Sequence, residues 1–381
     1  MSEQKYNYKI EQLTEREKLL IKSLFSDTIT KQQVESFTVG LNIEREYNSY
    51  ILLLSYLGFH CDWKFFPKEI VPAIKAVNSY YQAENILGIK PLIEKIRILN
   101  RANIPVMLLK GLALKYYYAK GYTRIMSDFD VAVPQDKYDE TIKLLSDKKA
   151  VYQGRAASYH GEIKIGRKKI EVHRWIFKNN GEKDTDIWER SYRIDFYGTS
   201  VYIMNPQDMF IHLLDNRSRD IFEGILVNRK SNWLFDIRNI YNFIKNFDIQ
   251  EIYSRAKEFS VLYSVMHLLP IFAECFPDLV DKKKIEEVFS YSDKYYLWLR
   301  RNLRFRSLMI KYRTKYTQGA MLLPTRVKDA IILNSTHYGI WRLEKDLGPF
   351  NLSLFRYCKE CLNVDSVTDF WKKYIARISF N

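Results

Sequence analysis

Two aspartates separated by one residue, Asp128 and Asp130, are the side chains in this sequence best suited to metal-dependent chemistry. They lie in the run RIMSDFDVAV, whose apolar and β-branched residues predict a strand. Side chains two residues apart on a strand point to the same face, about 6.5–7 Å apart, so the two carboxylates would project together. A divalent cation relieves the repulsion between such carboxylates, and Mg²⁺ is commonly held by one or two of them plus substrate phosphates. The pair therefore predicts a site for metal-dependent phosphoryl or nucleotidyl transfer, with the solvated polar face of an edge strand as the alternative.

The segment before this pair has the features of a phosphate-binding turn. The apolar run 104–109 predicts a buried strand, Lys110 and Gly111 end it, and residues 112–119 have helical character. A glycine between a strand and a helix lets backbone N–H groups approach a phosphate, and the helix N-terminus favours the negative charge. We therefore expect the turn at Lys110 and Gly111 to face a phosphate group.

The segment after the pair offers a third carboxylate. Residues 136–147 predict an amphipathic helix, and two strands should follow at 162–165 and 169–172, joined by a turn at Gly166 and Arg167. Glu171 lies in the second of these strands, and His173 is two residues further on, so both side chains should point to one face.

This order of elements resembles the polymerase-β-like nucleotidyltransferase superfamily. A closer resemblance is to a bacterial family of uncharacterised nucleotidyltransferases, through the segments IPVMLLKGLAL, RIMSDFDVAV, IEVHRW, FIHLLDNRSRD and WLFDIRNI, which fall within residues 83–243. The resemblance implies an α+β fold, with a small mixed sheet and flanking helices forming a polymerase-β-like nucleotidyltransferase core between two helical lobes. The corresponding domains would span residues 1–100, 101–205 and 206–381.

The resemblance also implies an activity and a set of site residues. The expected reaction moves a nucleoside monophosphate from an NTP to an acceptor hydroxyl or phosphate and releases pyrophosphate, with Mg²⁺ or Mn²⁺ as the cofactor. The expected catalytic and metal-binding residues are Asp128, Asp130 and Glu171. The expected nucleotide-binding residues are Lys110, Gly111, Arg124, Ser127 and His173. Lys110 and Gly111 stand where the superfamily has Gly-Ser or Gly-Gly, and Glu171 stands where the family often has aspartate.

Several alternatives remain open from the sequence. Arg124 would either neutralise charge on the leaving pyrophosphate or hold its own loop through an ion pair with a carboxylate. His212, Asp208 and Asp236 lie on helical segments and are as consistent with packing as with a site role. The whole chain could instead be a non-catalytic nucleotide- or RNA-binding module, or a toxin-type transferase that modifies tRNA. The acceptor could be a tRNA, a sugar phosphate, a small metabolite or a protein.

Composition sets broader limits. The net charge of +15 favours an anionic partner such as a nucleotide or tRNA, although the basic residues are spread along the chain. A basic aromatic stretch at 296–316 could bind RNA or a phospholipid surface, but an amphipathic helix with a basic solvent face is the preferred interpretation. The richness in Lys, Tyr, Ile and Asn is typical of an AT-rich bacterial genome.

The cysteines and the N-terminus bear on the compartment. Four cysteines do not form a secreted disulfide framework, and the CxxC at Cys358 and Cys361 is expected to be a helical pair of small residues rather than a metal site. The polar N-terminus predicts no signal peptide, and no apolar run of about 18 residues predicts a membrane span. We therefore expect a cytoplasmic protein.

Overall fold

The computed structural model describes residues 15–26, 28–118, 122–146, 160–166, 168–177, 184–222, 232–259 and 261–290. Residues 151–153, whose sequence also predicts a strand, lie outside these residues, as do the basic aromatic stretch 296–316 and the Cys358–Cys361 pair. The described chain forms two compact units: the first holds residues up to 213 together with 232–247, and the second holds 214–222 and the residues from 248 onward. The division into domains 1–100, 101–205 and 206–381 stays a prediction.

Four helices open the first unit. They are α1 (Glu15–Ser23), α2 (Lys31–Thr38), α3 (Asn48–His60) and α4 (Val71–Arg101). The α2 helix begins with a capping box, in which the Thr30 hydroxyl accepts from the Gln33 backbone N–H and the Gln33 side chain accepts from the Thr30 backbone N–H. The α3 helix is apolar on nearly all sides and is buried along most of its length, as expected for a central helix.

The apolar spacing at 71–100 predicts a helix that buries Ala83, Ile86, Leu87, Leu92, Ile93, Ile96 and Leu99. The helix α4 is present, but its buried face is shifted, with Ala83 exposed and Ile93 half-buried. Leu92, Ile96 and Leu99 are buried as expected, whereas the expected burial of Ile86 and Leu87 is wrong, because they are 64% and 70% exposed. The buried stripe runs instead through Asn85, Gly88, Ile89 and the three buried apolar residues above. The polar residue Asn85 is tolerated in this stripe because its side-chain amide is hydrogen-bonded to Arg124 and Lys168.

A six-stranded mixed sheet follows these helices. Its strands are β1 (Met107–Leu108), β2 (Phe129–Ala132), β3 (His160–Ile165), β4 (Lys168–His173), β5 (Tyr192–Asp195) and β6 (Ser200–Ile203). Their order across the sheet is β3-β4-β2-β1-β6-β5. The β2–β4 and β1–β6 pairs are parallel, and the other three pairs are antiparallel. The sequence does not predict the edge strand β5, because YRID is only four residues long and two of them are charged, which is too little for a strand pattern.

Short helices connect these strands. They are α5 (Lys110–Tyr117), α6 (Tyr138–Leu145), which follows a turn of 3₁₀ helix at Gln135–Lys137, and α7 (Asp184–Glu189). The β3–β4 turn contains Gly166, as predicted, with a φ of +59°, and the β5–β6 turn contains Gly198 with a φ of +72°. Positive φ values favour glycine because it has no Cβ to clash with the backbone.

The remaining helices divide between the units. They are α8 (Pro206–Phe222), α9 (Asn232–Tyr241), α10 (Ile249–Glu258), α11 (Leu262–Cys275) and α12 (Lys282–Ser290). In the second unit, α10 to α12 bury an apolar core that includes Ile252, Leu268, Phe272 and Ile285. No helix among the described residues is long and apolar enough to cross a membrane.

Candidate active site

Two buried acids lie side by side on neighbouring strands of the sheet. Asp130 on β2 is the direct partner of Glu171 on the parallel strand β4, and Ala132 is the partner of His173. Ligand atoms of Asp130, Glu171 and His173 all lie within 4.8 Å of one another, and all three residues are buried. Two carboxylates and an imidazole are donors suited to a divalent cation. The structure therefore brings together three of the side chains that the sequence assigned to the site.

The two strands explain this convergence. Glu171 and His173 are two residues apart on β4 and share a face, as the period of a strand requires. Asp130 lies between the buried residues Phe129 and Val131, so its carboxylate is on the opposite face of β2 from these apolar side chains. The parallel register then sets Asp130 beside Glu171.

Asp128 lies outside this group. The strand β2 begins at Phe129, and Asp128 occupies the bend before it, partly exposed, where its Oδ1 accepts a hydrogen bond from the Ser127 hydroxyl at 3.0 Å. Because the regular alternation of the strand does not extend to Asp128, the one-residue spacing does not ensure that its carboxylate joins that of Asp130. Roles for Asp128 in metal binding and for Ser127 in nucleotide binding stay predictions.

Lys110 pairs with Asp130 in the structure. It is the first residue of α5, with a φ of +44°, and its ammonium donates to Asp130 Oδ1. His173 Nε2 lies 2.9 Å from the same oxygen. Burial alone would raise the pKa of Asp130, but the Lys110 ammonium and the His173 hydrogen bond outweigh it and hold that pKa well below its ordinary value. Asp130 is therefore a carboxylate anion with two protein donors on one oxygen.

Glu171 is also paired with a lysine. Lys169 Nζ lies 2.6 Å from Glu171 Oε1 and 2.8 Å from Glu162 Oε1 on β3. Burial lowers the pKa of Lys169, but the hydrogen bonds to these two carboxylates outweigh that effect and raise it. His173 Nε2 is 3.9 Å from Glu171 Oε2, so the imidazole lies beside both acids.

Arg124 is held by a carboxylate that sequence reasoning left ambiguous. Its guanidinium forms an ion pair with Asp236 on α9, and the Tyr118 hydroxyl donates to the other oxygen of Asp236. Burial opposes the charge of Arg124, but Asp236 raises its pKa above the ordinary value. This contact matches the structural alternative for Arg124, and its binding to nucleotide stays a prediction.

Gly111 lies close to the side chains of Arg124 and Met126. A Cβ added at Gly111 would lie 3.2 Å from both Arg124 Nε and Met126 Cγ, closer than most Cβ contacts. A larger residue would therefore require the Arg124 and Met126 side chains to shift by a few tenths of an ångström. Glycine at this position leaves room for the Arg124 and Met126 side chains, and the approach of its backbone to a phosphate stays a prediction.

Two residues that sequence reasoning missed tie α4 to the segment before β2. Asn85 Nδ2 donates to the Arg124 backbone carbonyl at 2.7 Å. Lys168 Nζ donates to the Met126 carbonyl at 2.5 Å and to Asn85 Oδ1 at 3.3 Å. The available signal was a polar residue three positions before a glycine inside an otherwise regular helix, which indicates a close contact with another element.

The remaining candidates on α8 have packing partners. Asp208 accepts hydrogen bonds from Arg190 at 3.1 Å and from Asn205 at 2.7 Å, and its own N–H donates to Asn205 at the start of the helix. His212 packs edge-on against Phe177, with 5.4 Å between ring centroids. Both side chains are buried, so their contacts are consistent with the packing alternative.

A mixed sheet that brings two buried acids together beside a glycine-containing strand-to-helix turn is the arrangement of a nucleotidyltransferase core. A family model described as "Uncharacterised nucleotidyltransferase" matches residues 50–277, which is more than half of the chain. The chain belongs to this family, and its enzyme class is nucleotidyltransferase. The predicted family, fold class and enzyme class are thereby confirmed.

Two solved structures are also similar to the chain. One is an antigenic nucleotidyltransferase-like protein from Paracoccidioides brasiliensis, with 13% identity and a TM-score of 0.36, covering 53% of this chain and 95% of that protein. The other is the antibiotic-resistance factor ANT(2'')-Ia, with 14% identity and a TM-score of 0.32, covering 48% of this chain and 94% of that protein. No curated protein matches the sequence significantly.

Proposed function

We propose that this enzyme transfers a nucleoside monophosphate from an NTP to an acceptor hydroxyl or phosphate and releases pyrophosphate, with Mg²⁺ or Mn²⁺ as the cofactor. The observation that carries the proposal is the register of β2 against β4, which sets Asp130 beside Glu171 with His173 next to both. The family membership supplies the class of reaction.

The donor set fits a divalent cation. Carboxylate oxygens suit Mg²⁺ and Mn²⁺, and an imidazole is more readily accepted by Mn²⁺ than by Mg²⁺. We assign Asp130 and Glu171 to the cation, with Asp128 as a further ligand and His173 holding the Asp130 carboxylate in place through the 2.9 Å contact. A bound divalent cation would neutralise triphosphate charge and stabilise the attacking and leaving oxygens of an in-line displacement.

The other residues of the site bind and orient the substrates. The turn at Lys110 and Gly111 begins α5, so backbone N–H groups at that helix N-terminus can donate to triphosphate oxygens. Ser127 and Arg124 are assigned to the same phosphates. We also assign to Glu171 the acceptance of the proton from the acceptor hydroxyl, because it is the carboxylate paired in register with Asp130.

The test is pyrophosphate release by the full chain with each of the four NTPs in Mg²⁺ or Mn²⁺. The Asp128→Ala, Asp130→Ala double variant should lose release by at least about 10³-fold, because two of the three carboxylates assigned to the cation are gone. A matched double variant, Glu44→Ala with Asp136→Ala, removes two exposed acids and should retain release. Each single aspartate variant then shows whether Asp128 contributes beside Asp130. Retained release in the Asp128, Asp130 double variant would refute the assignment.

A second experiment identifies the acceptor class from the transfer of a labelled nucleotide. The protein is incubated with an α-labelled NTP and separately with tRNA, sugar phosphates, a metabolite extract and a protein fraction. Covalent label in one fraction, absent with the double variant, identifies the acceptor class. Label in tRNA, together with expression toxicity that the double variant abolishes, would point to a toxin-type transferase.

One observation favours a second candidate, a non-catalytic nucleotide- or RNA-binding module. Both acids of the site are already paired with lysines, Asp130 with Lys110 and Glu171 with Lys169, as would be expected of acids that serve stability. In that case the double variant would bind nucleotide as the wild type does, and no NTP would yield pyrophosphate.

A further inference from the structure

The charge of Asp130 is balanced by a residue from the predicted phosphate-binding turn. The Lys110 side chain is 17% exposed and that of Asp130 is 5% exposed, so their ion pair is largely shielded from water. His173 Nε2 contacts the same oxygen, Oδ1, at 2.9 Å. A lysine ammonium thus lies at one of the carboxylates that the proposed function gives to a divalent cation.

The backbone supports a specific role for this lysine. With a φ of +44°, Lys110 adopts the left-handed conformation, which side chains with a Cβ disfavour and glycine tolerates. Strained residues of this kind persist where the surrounding structure holds them, and they are frequent at functional sites. The residue at this position is a lysine although the backbone favours glycine, which indicates that the ammonium has a function.

An ammonium and a divalent cation cannot share the Asp130 carboxylate without strong repulsion between their charges. We propose that Lys110 is the internal counter-ion of Asp130, that it leaves the carboxylate when a divalent cation binds there, and that its ammonium then pairs with the triphosphate. This inference rests on the proposed function for the identity of the metal site. The exchange explains why Lys110 belongs to the predicted phosphate-binding turn and yet pairs with Asp130 in the structure.

The exchange makes two binding events depend on one side chain. A divalent cation alone must break the Lys110–Asp130 pair, so it binds weakly. A metal–triphosphate complex offers the released ammonium new oxygen partners, so it binds more tightly than the cation alone. By linkage, each ligand raises the affinity for the other by the same factor.

The experiment measures binding to the full chain without turnover. Mn²⁺ is titrated by calorimetry into the wild type, Lys110→Met and the matched control Lys115→Met, which removes the same charge from the same helix where the lysine contacts Tyr197 instead. We expect Lys110→Met to bind Mn²⁺ about tenfold more tightly than wild type, within the usual range for such couplings. Lys115→Met should bind Mn²⁺ as the wild type does.

The second probe is the Mn²⁺ complex of inorganic tripolyphosphate. Lys110→Met should bind it about tenfold less tightly than the wild type, because the released ammonium is missing. Unchanged or weaker Mn²⁺ binding by Lys110→Met would overturn the inference, as would an equal gain in Lys115→Met. If Lys110→Met is too unstable for calorimetry, the Mn²⁺ dependence of its melting temperature gives the affinity instead, and Lys110→Gln provides a second variant.

Failure of this inference is distinguishable from failure of the proposed function. If the wild type releases no pyrophosphate but Lys110→Met binds Mn²⁺ more tightly than the wild type does, the proposed reaction is refuted and the exchange of Lys110 for the cation is supported. Normal pyrophosphate release with equal Mn²⁺ affinities would refute the exchange and keep the reaction.

Discussion

Replacing Asp236 with asparagine tests how strongly the buried ion pair with Arg124 stabilises the first unit. The Asp236 side chain is 4% exposed and that of Arg124 is 25% exposed, so the guanidinium would lose its counter-ion in a largely dry environment. Removing one partner of a buried pair costs about 3–5 kcal/mol. The asparagine keeps the shape of the side chain and an oxygen that can accept from Tyr118, so we expect the lower end, about 3 kcal/mol.

The measurement is urea denaturation of the full chain at pH 7, followed by far-UV circular dichroism, together with a thermal melt. At about 2–4 °C per kcal/mol for a unit of this size, the melting temperature should fall by about 6–12 °C. The control Asp136→Asn changes an exposed aspartate and should stay within about 0.5 kcal/mol of the wild type.

A double-mutant cycle separates the pair from its surroundings. Arg124→Met alone leaves Asp236 buried and charged, and Asp236→Leu alone leaves Arg124 without its counter-ion, so both single variants should destabilise. Arg124→Met with Asp236→Leu removes both charges and should cost much less than the sum of these two single changes. A loss under about 1 kcal/mol for Asp236→Asn, or additive single effects, would refute the reasoning.

The same variants decide the role of Arg124. Weaker binding of NTP by Arg124→Met, with unchanged binding by Asp236→Asn, would support the predicted contact with phosphates. Unchanged NTP affinity and turnover in Arg124→Met with a lower melting temperature would show that the contact with phosphates is absent.

Two further predictions concern packing and pH. Gly88→Ala should destabilise by about 1–3 kcal/mol in a denaturation experiment, although alanine favours helix, because its Cβ would lie 2.7 Å from Lys168 Cδ and Phe129 Cζ; a gain in stability would show that the contact relaxes freely. Asp184 accepts a hydrogen bond from the Ile176 N–H at 3.0 Å, and burial raises its pKa from 3.8 to about 8. The unfolded chain loses the Asp184 proton at a lower pH than the folded chain, so this carboxyl should make the free energy of unfolding fall as pH rises from about 4 to about 8. Asp184→Asn should remove about 2 kcal/mol of the fall in that free energy between pH 5.5 and 7.5. An equal pH slope in both proteins would contradict this.

Local pattern was enough to predict most of the sheet around the site. The alternation in β2 and β4 and the turn at Gly166 depend on neighbouring residues, so the sequence could predict them. The start of β2 could not be predicted, because Ser127 and Asp128 are compatible with either a strand or a bend. Whether the strand includes Asp128 decides whether its side chain shares the face of Asp130.

The ionic partners could not be predicted, because they are distant in the chain. Arg124 and Asp236 are 112 residues apart, and Lys110 and Asp130 are 20 residues apart. Lysine and arginine side chains are long and flexible, so their sequence position does not fix which carboxylate they reach. The prediction that Lys110 serves phosphates was drawn from its place in the turn, and only the fold shows that it also reaches Asp130.

The apolar side chains of β2 and β4 determine the register that brings the acids of the site together. Phe129 and Val131 on β2, and Ile170 and Val172 on β4, are almost fully buried and alternate with the polar residues of the site. Slipping β4 by one residue would turn Glu171 and His173 into the apolar layer and bring the apolar residues out of it. Because that slip would place the Glu171 carboxylate in the apolar layer and expose apolar side chains, the apolar packing selects the single register in which Asp130 lies beside Glu171.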